Sequence, residues 1–192
     1  MIRTNHDFII YIDKLRKKGS YEIDEQVFAP KTMILKQDRR YSSVYLIREG
    51  IAKCYITDEN GKEFIQEFLG QGMEFGELEI FSNKLTICSV TSVSELKVYS
   101  FPHSTYRALL KEDPTFNGLV MKALADKIRY KAPRHSYQHS YPIEDNILRL
   151  QKLFPELTEV LPKKDIANYI GVTTRSLNRA LKELKQKQDN PK

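Results

Sequence analysis

Residues 162–184 read PKKDIANYIGVTTRSLNRALKEL, and this stretch decides how the C-terminal third of the chain folds. Its apolar residues recur at the spacing of two short helices, and the small Ala167 lets those helices approach closely. Gly171 supplies the left-handed backbone conformation that a tight turn between them requires. Thr173 can cap the second helix through its side-chain oxygen. The pattern therefore predicts a helix-turn-helix segment.

The second helix is expected to be apolar on one side and cationic on the other. Leu177, Ala180, Leu181 and Leu184 form its apolar stripe. The opposite face carries side chains of the kinds that pair with base edges or phosphates in a major groove. The predicted DNA-binding residues are Lys163, Thr173, Thr174, Arg175, Ser176, Asn178, Arg179 and Lys182. The alternative is an ordinary helical hairpin with a solvated basic face.

Positive charge is concentrated in the same region. Residues 160–188 contain seven Lys or Arg and two acids, within a chain of 192 residues whose formal net charge is +6. A local excess of cations favours a polyanionic partner. Double-stranded DNA is therefore the predicted partner.

The composition, 41% hydrophobic and 29% charged, is typical of a soluble globular protein. No run is long enough to span a bilayer and the first residues lack a signal-peptide pattern, so we expect a cytoplasmic protein with no membrane partner. Cys54 and Cys88 lie in alternating apolar segments and are expected to be reduced core residues, with a disulfide as the alternative. Two cysteines cannot supply an all-Cys iron-sulfur cluster, and no cofactor is predicted.

The first half of the chain is predicted to be rich in β-strands. Residues 4–18 have helical spacing and predict a short helix that ends at Gly19. From Tyr21 to Phe101 the period changes to two, and the turn at residues 58–61 predicts a hairpin. The predicted strands cover residues 32–36, 43–48, 51–57, 63–69 and 86–101. Strands at this regular spacing predict a compact antiparallel barrel or jelly roll.

A long helix is predicted to begin at Pro114, after a short helix over residues 103–111. Its apolar stripe has nothing to cover it in a closed barrel, so pairing with the same helix of a second copy would give a two-fold homodimer. The predicted dimer interface is Phe116, Leu119, Val120, Leu124 and Ile128. The alternative is that the stripe packs back on the barrel.

Pro133 and Pro142 flank a polar segment and predict a kink or hinge between two domains. His135 and His139 have a possible metal-ligand spacing, but we expect a solvated linker and no metal site. A helix over residues 143–154 is expected to support the helix-turn-helix from behind. The predicted domains are an effector barrel over residues 1–112, a dimerisation helix and hinge over 113–141, and a helix-turn-helix domain over 142–192.

This α+β order of barrel, long helix and terminal helix-turn-helix resembles the Crp/Fnr family of bacterial transcription factors over nearly the whole chain. Residues 70–78 (GQGMEFGEL) are similar to the family's Gly-x-x-x-Gly-Glu-Leu ligand box, and residues 170–179 (IGVTTRSLNR) are similar to its recognition helix. Glu79, directly after Gly-Glu-Leu, resembles a YeiL-like branch. The resemblance implies a DNA-binding homodimer that regulates transcription by contacting RNA polymerase.

The resemblance also implies a cyclic-nucleotide-binding-like ligand site at Gly76, Glu77, Leu78, Thr86 and Ile87. In nucleotide-binding members, an arginine downstream of the box neutralises the cyclic phosphate. Residues 82–90 contain no arginine here, and their only cation is Lys84. Burying a phosphate without a charged partner is strongly unfavourable, so we expect a regulator that does not respond to cyclic AMP.

The DNA-reading end departs from the family in two places. Arg179 matches the family's guanine-reading or phosphate-binding arginine, and Thr174 and Arg175 match the two preceding base-facing positions. Many members carry an acid where Arg175 stands, so the operator is expected to differ. Residues 185–192 are too short for the family's β-hairpin wing, so either the wing is lost or the chain is truncated.

The function predicted from the sequence is a dimeric DNA-binding transcriptional regulator of the Crp/Fnr type. The alternative is a small-molecule sensor module whose helical tail contacts a protein partner instead of DNA. The chain carries no nucleophile elbow, phosphate-binding loop or metal signature, so we do not expect an enzyme.

Overall fold

The structure is a computed structural model that describes residues 2–153 and 157–189. The elements of its first half, in chain order, are β1 (Ile2–Arg3), α1 (His6–Lys18), β2 (Asp24–Phe28), β3 (Met33–Leu35), β4 (Ser43–Glu49), β5 (Ala52–Thr57), β6 (Glu63–Leu69), β7 (Glu74–Phe75), α2 (Leu78–Ser82), β8 (Ser89–Ser92) and β9 (Leu96–Pro102). The second half is helical: α3 (His103–Glu112), α4 (Pro114–Ser140), α5 (Ile143–Leu153), α6 (Leu157–Val160), α7 (Lys163–Ile170) and α8 (Thr174–Asp189).

The strands form two sheets that face each other. One has the order β1-β6-β5-β8-β3 and the other β2-β9-β4-β7. Alternate residues of both sheets, such as Leu35, Ile47, Leu69 and Val98, fill the space between them. The expected β-rich effector domain is therefore present. The predicted strand over residues 86–101 is two strands, because the chain crosses from one sheet to the other between β8 and β9.

A bulge in β6 turns two large apolar side chains to the outer face of the five-stranded sheet. Cys54 pairs with Glu67 and Tyr55 pairs with Ile65, which leaves Gln66 as the extra residue. Ile65 and Phe68 are three residues apart and would lie on opposite faces of a regular strand, but the bulge brings both to the outer face. This outer apolar surface receives the C-terminal helices.

Helices α1, α3 and α4 cover the outer face of the four-stranded sheet. The ring of Phe116 packs 5.7 Å from that of Phe8 and 5.0 Å from that of Tyr106, measured between centroids. Phe116 and Val120 are both 0% exposed in this cluster. Their assignment to a dimer surface is therefore corrected, since the first half of α4 packs against its own barrel domain as in the alternative considered from the sequence.

The remaining residues of the predicted stripe lie closer to the surface. Leu119 and Leu124 are partly buried against the same cluster, whereas Ile128 is 70% exposed. Met121, which was not included in the predicted stripe, is 60% exposed and lies two turns before Ile128. The exposed apolar face of α4 therefore contains Met121 and Ile128, and it is a different face of the helix from the predicted stripe.

Helix α4 continues past Pro133 to Ser140, so the helix does not end at this proline, and the kink predicted there stays a prediction. A proline removes one hydrogen bond from a helix but does not oblige it to end. The break falls between Ser140 and Ile143, at Pro142. The side chains of His135 and His139 lie outside the described residues. Within residues 2–153 and 157–189, none of the helices combines the length and the hydropathy needed to cross a bilayer.

The C-terminal helices and the barrel share one apolar cluster. Ile147 of α5, Ile166 of α7 and Leu177 of α8 are buried together with Tyr55 and Phe68 of the five-stranded sheet. The helices therefore rest on the sheet instead of extending away from it. Of the predicted helix over residues 143–154, Phe154 lies outside the described residues, as do residues 190–192 of the segment considered for the wing.

Candidate nucleic-acid interface and barrel cavity

The turn between α7 and α8 has the predicted glycine and threonine geometry. Gly171 follows α7 with a φ of 85°, and its N–H donates to the carbonyl of Ala167 at 2.9 Å. The Thr173 Oγ1 then accepts a hydrogen bond from the N–H of Ser176 at 3.1 Å, which caps α8. These two local interactions fix the direction in which α8 leaves the turn.

Helix α8 buries one face and exposes the other. Leu177, Ala180 and Leu184 are buried, and α8 packs against α5 and α7. Of the predicted DNA-binding residues, Ser176 is half-buried and the other seven are exposed. Those seven are Lys163 on α7 and Thr173, Thr174, Arg175, Asn178, Arg179 and Lys182 at the turn and on α8. Arg179 is paired within the helix only with the exposed Glu183, at 3.8 Å.

Helix α7 is attached to the barrel by polar contacts that the sequence analysis missed. Asp165 is buried, and its Oδ1 accepts a hydrogen bond from the Lys53 Nζ of β5 at 2.9 Å. The Tyr169 ring packs 5.7 Å from that of Phe68, and its hydroxyl lies 2.6 Å from that of Tyr130. Because α7 turns this side to the barrel, the polar face of α8 remains open to solvent. These partners are far apart in sequence and no local pattern links them.

A cavity of about 280 Å³ lies in the barrel domain beside α4. Gly76, Glu77, Leu78 and Ile87 of the predicted ligand site line it. Thr86 does not line it, and its assignment is corrected. The Thr86 hydroxyl donates to the carbonyl of Lys36 at 2.6 Å and accepts from the N–H of Arg39, so it fixes the loop after β3.

An ion pair between the barrel and α4 occupies one side of this cavity. The Lys127 Nζ lies 2.5 Å from Glu77 Oε1 and donates to the carbonyl of Glu74 at 3.0 Å. Burial alone would lower the pKa of Lys127, but the carboxylates of Glu77, Glu74 and Glu67 outweigh that effect and raise the pKa above its usual value. Glu77 is therefore held by an internal cation.

Further carboxyl groups make the cavity predominantly acidic. Glu67 binds Lys131 at 3.1 Å and Arg3 at 2.9 Å, and despite burial these cations and Lys127 lower its pKa. Glu74 accepts a 2.6 Å hydrogen bond from Tyr106, while its other oxygen has no partner among the described residues. Burial and the charge of Glu77 raise the pKa of Glu74 to about 7.

The lining of the cavity carries more acids than bases. Four acids, namely Glu67, Glu74, Glu77 and Glu79, and two lysines, Lys127 and Lys131, line the cavity. Both lysines are engaged by these carboxylates. Lys84, the cation identified from the sequence, is exposed and is not part of the lining. Sequence reasoning missed two of these acids. Glu67 lies in an ordinary strand segment, and Glu74 occupies an unspecified position of the quoted residues 70–78.

The β-rich domain and the whole chain both have known relatives. Residues 25–113 match the cyclic nucleotide-binding domain family. The cAMP-activated global transcriptional regulator CRP of Pasteurella multocida is 21% identical over 168 residues, which are 82% of this chain and 80% of that protein. The solved c-di-GMP responsive global regulator CLP of Xanthomonas campestris has a TM-score of 0.80 at 12% identity, covering 92% of this chain and 93% of that one.

Other curated relatives match about half of the chain. A cAMP-dependent protein kinase regulatory subunit of Colletotrichum orbiculare is 28% identical over 115 residues, which are 56% of this chain but 29% of that protein. The lysophospholipase nte1 of Aspergillus terreus is 25% identical over 97 residues, which are 50% of this chain but 6% of that protein. The chain therefore spans less than a third of these first relatives.

These matches confirm the family resemblance. Residues 25–113 are similar to cyclic nucleotide-binding domains, and the chain as a whole has the fold of transcriptional regulators of the Crp/Fnr family. The structural neighbours with this whole architecture are regulators and not enzymes.

Proposed function

We propose that the chain is a homodimeric, DNA-binding transcriptional regulator in which α7 and α8 form the helix-turn-helix and α8 enters the major groove. The observation that carries this proposal is the exposed polar face of α8, where Thr174, Arg175, Asn178 and Arg179 stand clear of the barrel. Arginine and asparagine are the side chains that pair bidentately with guanine and adenine. The resemblance to the Crp/Fnr family further supports RNA polymerase as the proposed protein partner.

The proposed second copy packs along the exposed face of α4. Met121 and Ile128 are large apolar residues that are more than half exposed, on a helix whose buried residues pack against its own domain. Gly118, one turn before Met121, has open space around it, so a second helix can approach closely there. A two-fold contact through this face would set two α8 helices at a fixed separation, as reading of successive major grooves requires.

Arg179→Ala is expected to weaken binding to DNA by about 1–3 kcal/mol, or roughly 5- to 150-fold in Kd, because one base or phosphate contact is lost. The measurement is fluorescence anisotropy at fixed salt with a duplex selected from a random pool by the unaltered protein. Arg107→Ala is the matched control, since Arg107 is an exposed arginine on α3. Equal binding by Arg179→Ala and the control would contradict the proposed role of α8.

The barrel is proposed not to respond to cyclic AMP. Its support is the engagement of Lys127 and Lys131 by Glu77 and Glu67, which leaves neither lysine free for a phosphate and leaves Glu74 and Glu79 as further acids on the lining. We therefore expect no rise in the melting temperature with millimolar cyclic AMP. A ligand present at 100 times its Kd would stabilise the fold by about 2.7 kcal/mol, which such a measurement detects readily. A saturable upward shift would sink this part of the proposal.

A further inference from the structure

Two free thiols lie side by side on the wall of the barrel cavity. Cys54 is on β5 and pairs with Val90 of β8, while Cys88 directly precedes β8. Because alternate residues of a strand share a face, Cys88 points to the same side of the sheet as Val90 and Cys54. All three line the cavity, where the two cysteines are neighbours. Neither cysteine belongs to the ligand box or to the DNA-reading face.

The two thiols are not equivalent. Cys54 is buried, whereas Cys88 is half-buried at the cavity. The Cys54 thiol donates a hydrogen bond to the Cys88 sulfur, which lowers the pKa of Cys88 against the opposing effect of burial. The Lys131 ammonium lowers it further, and the carboxylates of Glu67 and Glu79 act in the opposite direction. The same hydrogen bond, together with burial, raises the pKa of Cys54.

We propose that Cys54 and Cys88 are a dithiol modification site that forms a reversible intrachain disulfide on reaction with a hydroperoxide. The Cys88 thiolate attacks one peroxide oxygen, so an S–O bond forms and the O–O bond breaks. The released hydroxide or alkoxide takes up a proton, and Cys88 becomes a sulfenic acid. The Cys54 sulfur then attacks the Cys88 sulfur, and the S–O bond breaks to release water that carries the Cys54 proton.

The electrons and protons balance without another reactant. The two thiols together lose two electrons and two protons, and hydrogen peroxide is reduced to two molecules of water. A dithiol reductant reverses the reaction by exchange through a mixed disulfide. The half-exposed Cys88 is thus the attacking thiol and the buried Cys54 is the resolving thiol.

Forming the disulfide requires a movement of the backbone beside the cavity. Cys54 and Cys88 are diagonal neighbours across antiparallel strands, which is a wider spacing than a disulfide has, so their backbones must approach. Cys88 lies just outside the hydrogen-bonded ladder of β8, whose first paired residue is Ser89. Closing the disulfide therefore draws the segment at residues 87–88 towards β5. Since Ile87 also lines the cavity, oxidation changes the shape of the space that a ligand would enter.

The test uses the full chain, reduced and freed of reductant, with one equivalent of hydrogen peroxide. We expect the number of titratable thiols to fall from two to zero. The intact mass should fall by that of two hydrogen atoms, and dithiothreitol should restore both thiols. A peptide map under non-reducing conditions should show Cys54 joined to Cys88 in one chain.

Single variants assign the two roles. Cys54→Ser should stop at a sulfenic acid on Cys88 that dimedone traps. Cys88→Ser should react at least about tenfold more slowly, because the remaining thiol is buried and little ionised. Circular dichroism checks that each variant is folded, and Cys→Ala changes replace any serine variant that is not.

Several results would overturn the proposal. These are two thiols that still titrate after peroxide, a disulfide between two chains instead of within one, or equal reactivity of the two variants. The mass measurement on the unaltered chain shows whether the disulfide forms, even if a variant fails to fold. None of these readouts involves DNA, so they stand or fall separately from the proposed function.

Discussion

Lys127→Met is expected to lower the free energy of unfolding by about 3–5 kcal/mol near neutral pH, because it leaves buried carboxylates without their cation. The Lys127 ammonium binds Glu77 and the carbonyl of Glu74 in a site where both side chains are buried. Methionine has a similar length and can fill the same volume, so the loss measures charge and not packing. Urea unfolding followed by circular dichroism gives the value.

Two comparisons make this expectation specific. Lys131→Met, one turn further along α4, removes a lysine that is 37% exposed, and Glu67 retains its contact with Arg3. We expect that control to cost less than about 1 kcal/mol. Adding Glu77→Gln to Lys127→Met removes the stranded charge and should recover part of the loss. Equal losses for Lys127→Met and Lys131→Met would show that the Glu77 pair is not the buried charge contact described above.

Phe116→Ala is expected to lower the free energy of unfolding by about 3–5 kcal/mol, because it removes a fully buried ring and leaves a cavity between α1, α3 and α4. The ring contacts Phe8 and Tyr106 and is 0% exposed. Urea unfolding at a protein concentration at which the chain is monomeric measures this loss without a contribution from self-association.

Ile128→Ala is the contrasting change on the same helix. Ile128 is 70% exposed, so we expect the monomer to lose no more than about 0.5 kcal/mol. If the exposed face of α4 is the dimer contact, the variant should form a weaker dimer. Its molecular mass, measured by light scattering, should then fall to that of the monomer at a higher protein concentration than for the unaltered chain. A large loss of stability for Ile128→Ala and a small one for Phe116→Ala would mean that Ile128, and not Phe116, faces the barrel.

Local signals in the sequence predicted local structure well. Gly19 ends α1 in a left-handed conformation, and the turn at residues 58–61 joins β5 to β6. The Thr173 cap follows from a side-chain oxygen close to free N–H groups of the same helix. In each case the interacting groups are within four residues of one another, so the pattern contains both partners.

The contacts that distinguish this chain join distant residues and were not predictable in this way. A helical stripe indicates which residues share a face, but not whether a second copy or the barrel covers it, and Phe116 and Val120 were assigned to the first. The bulge at Gln66 reverses the alternation of β6 without a glycine or proline to mark it. Lys127 reaches Glu77 across 50 positions and Lys53 reaches Asp165 across 112. Thr86 was predicted to contact a ligand, but its hydroxyl forms hydrogen bonds with the backbone of the loop after β3.

Two contacts hold α7 on the five-stranded sheet, so we expect the C-terminal helices to leave the sheet in one cooperative step. Moving them away must separate Lys53 from Asp165 and part the Phe68 and Tyr169 rings together, since both contacts lie on one small surface. Breaking a buried charge contact and a packed apolar surface at once leaves no low-energy halfway position. If α7 and α8 bind DNA as proposed, we expect them to occupy one of two discrete positions with no stable intermediate.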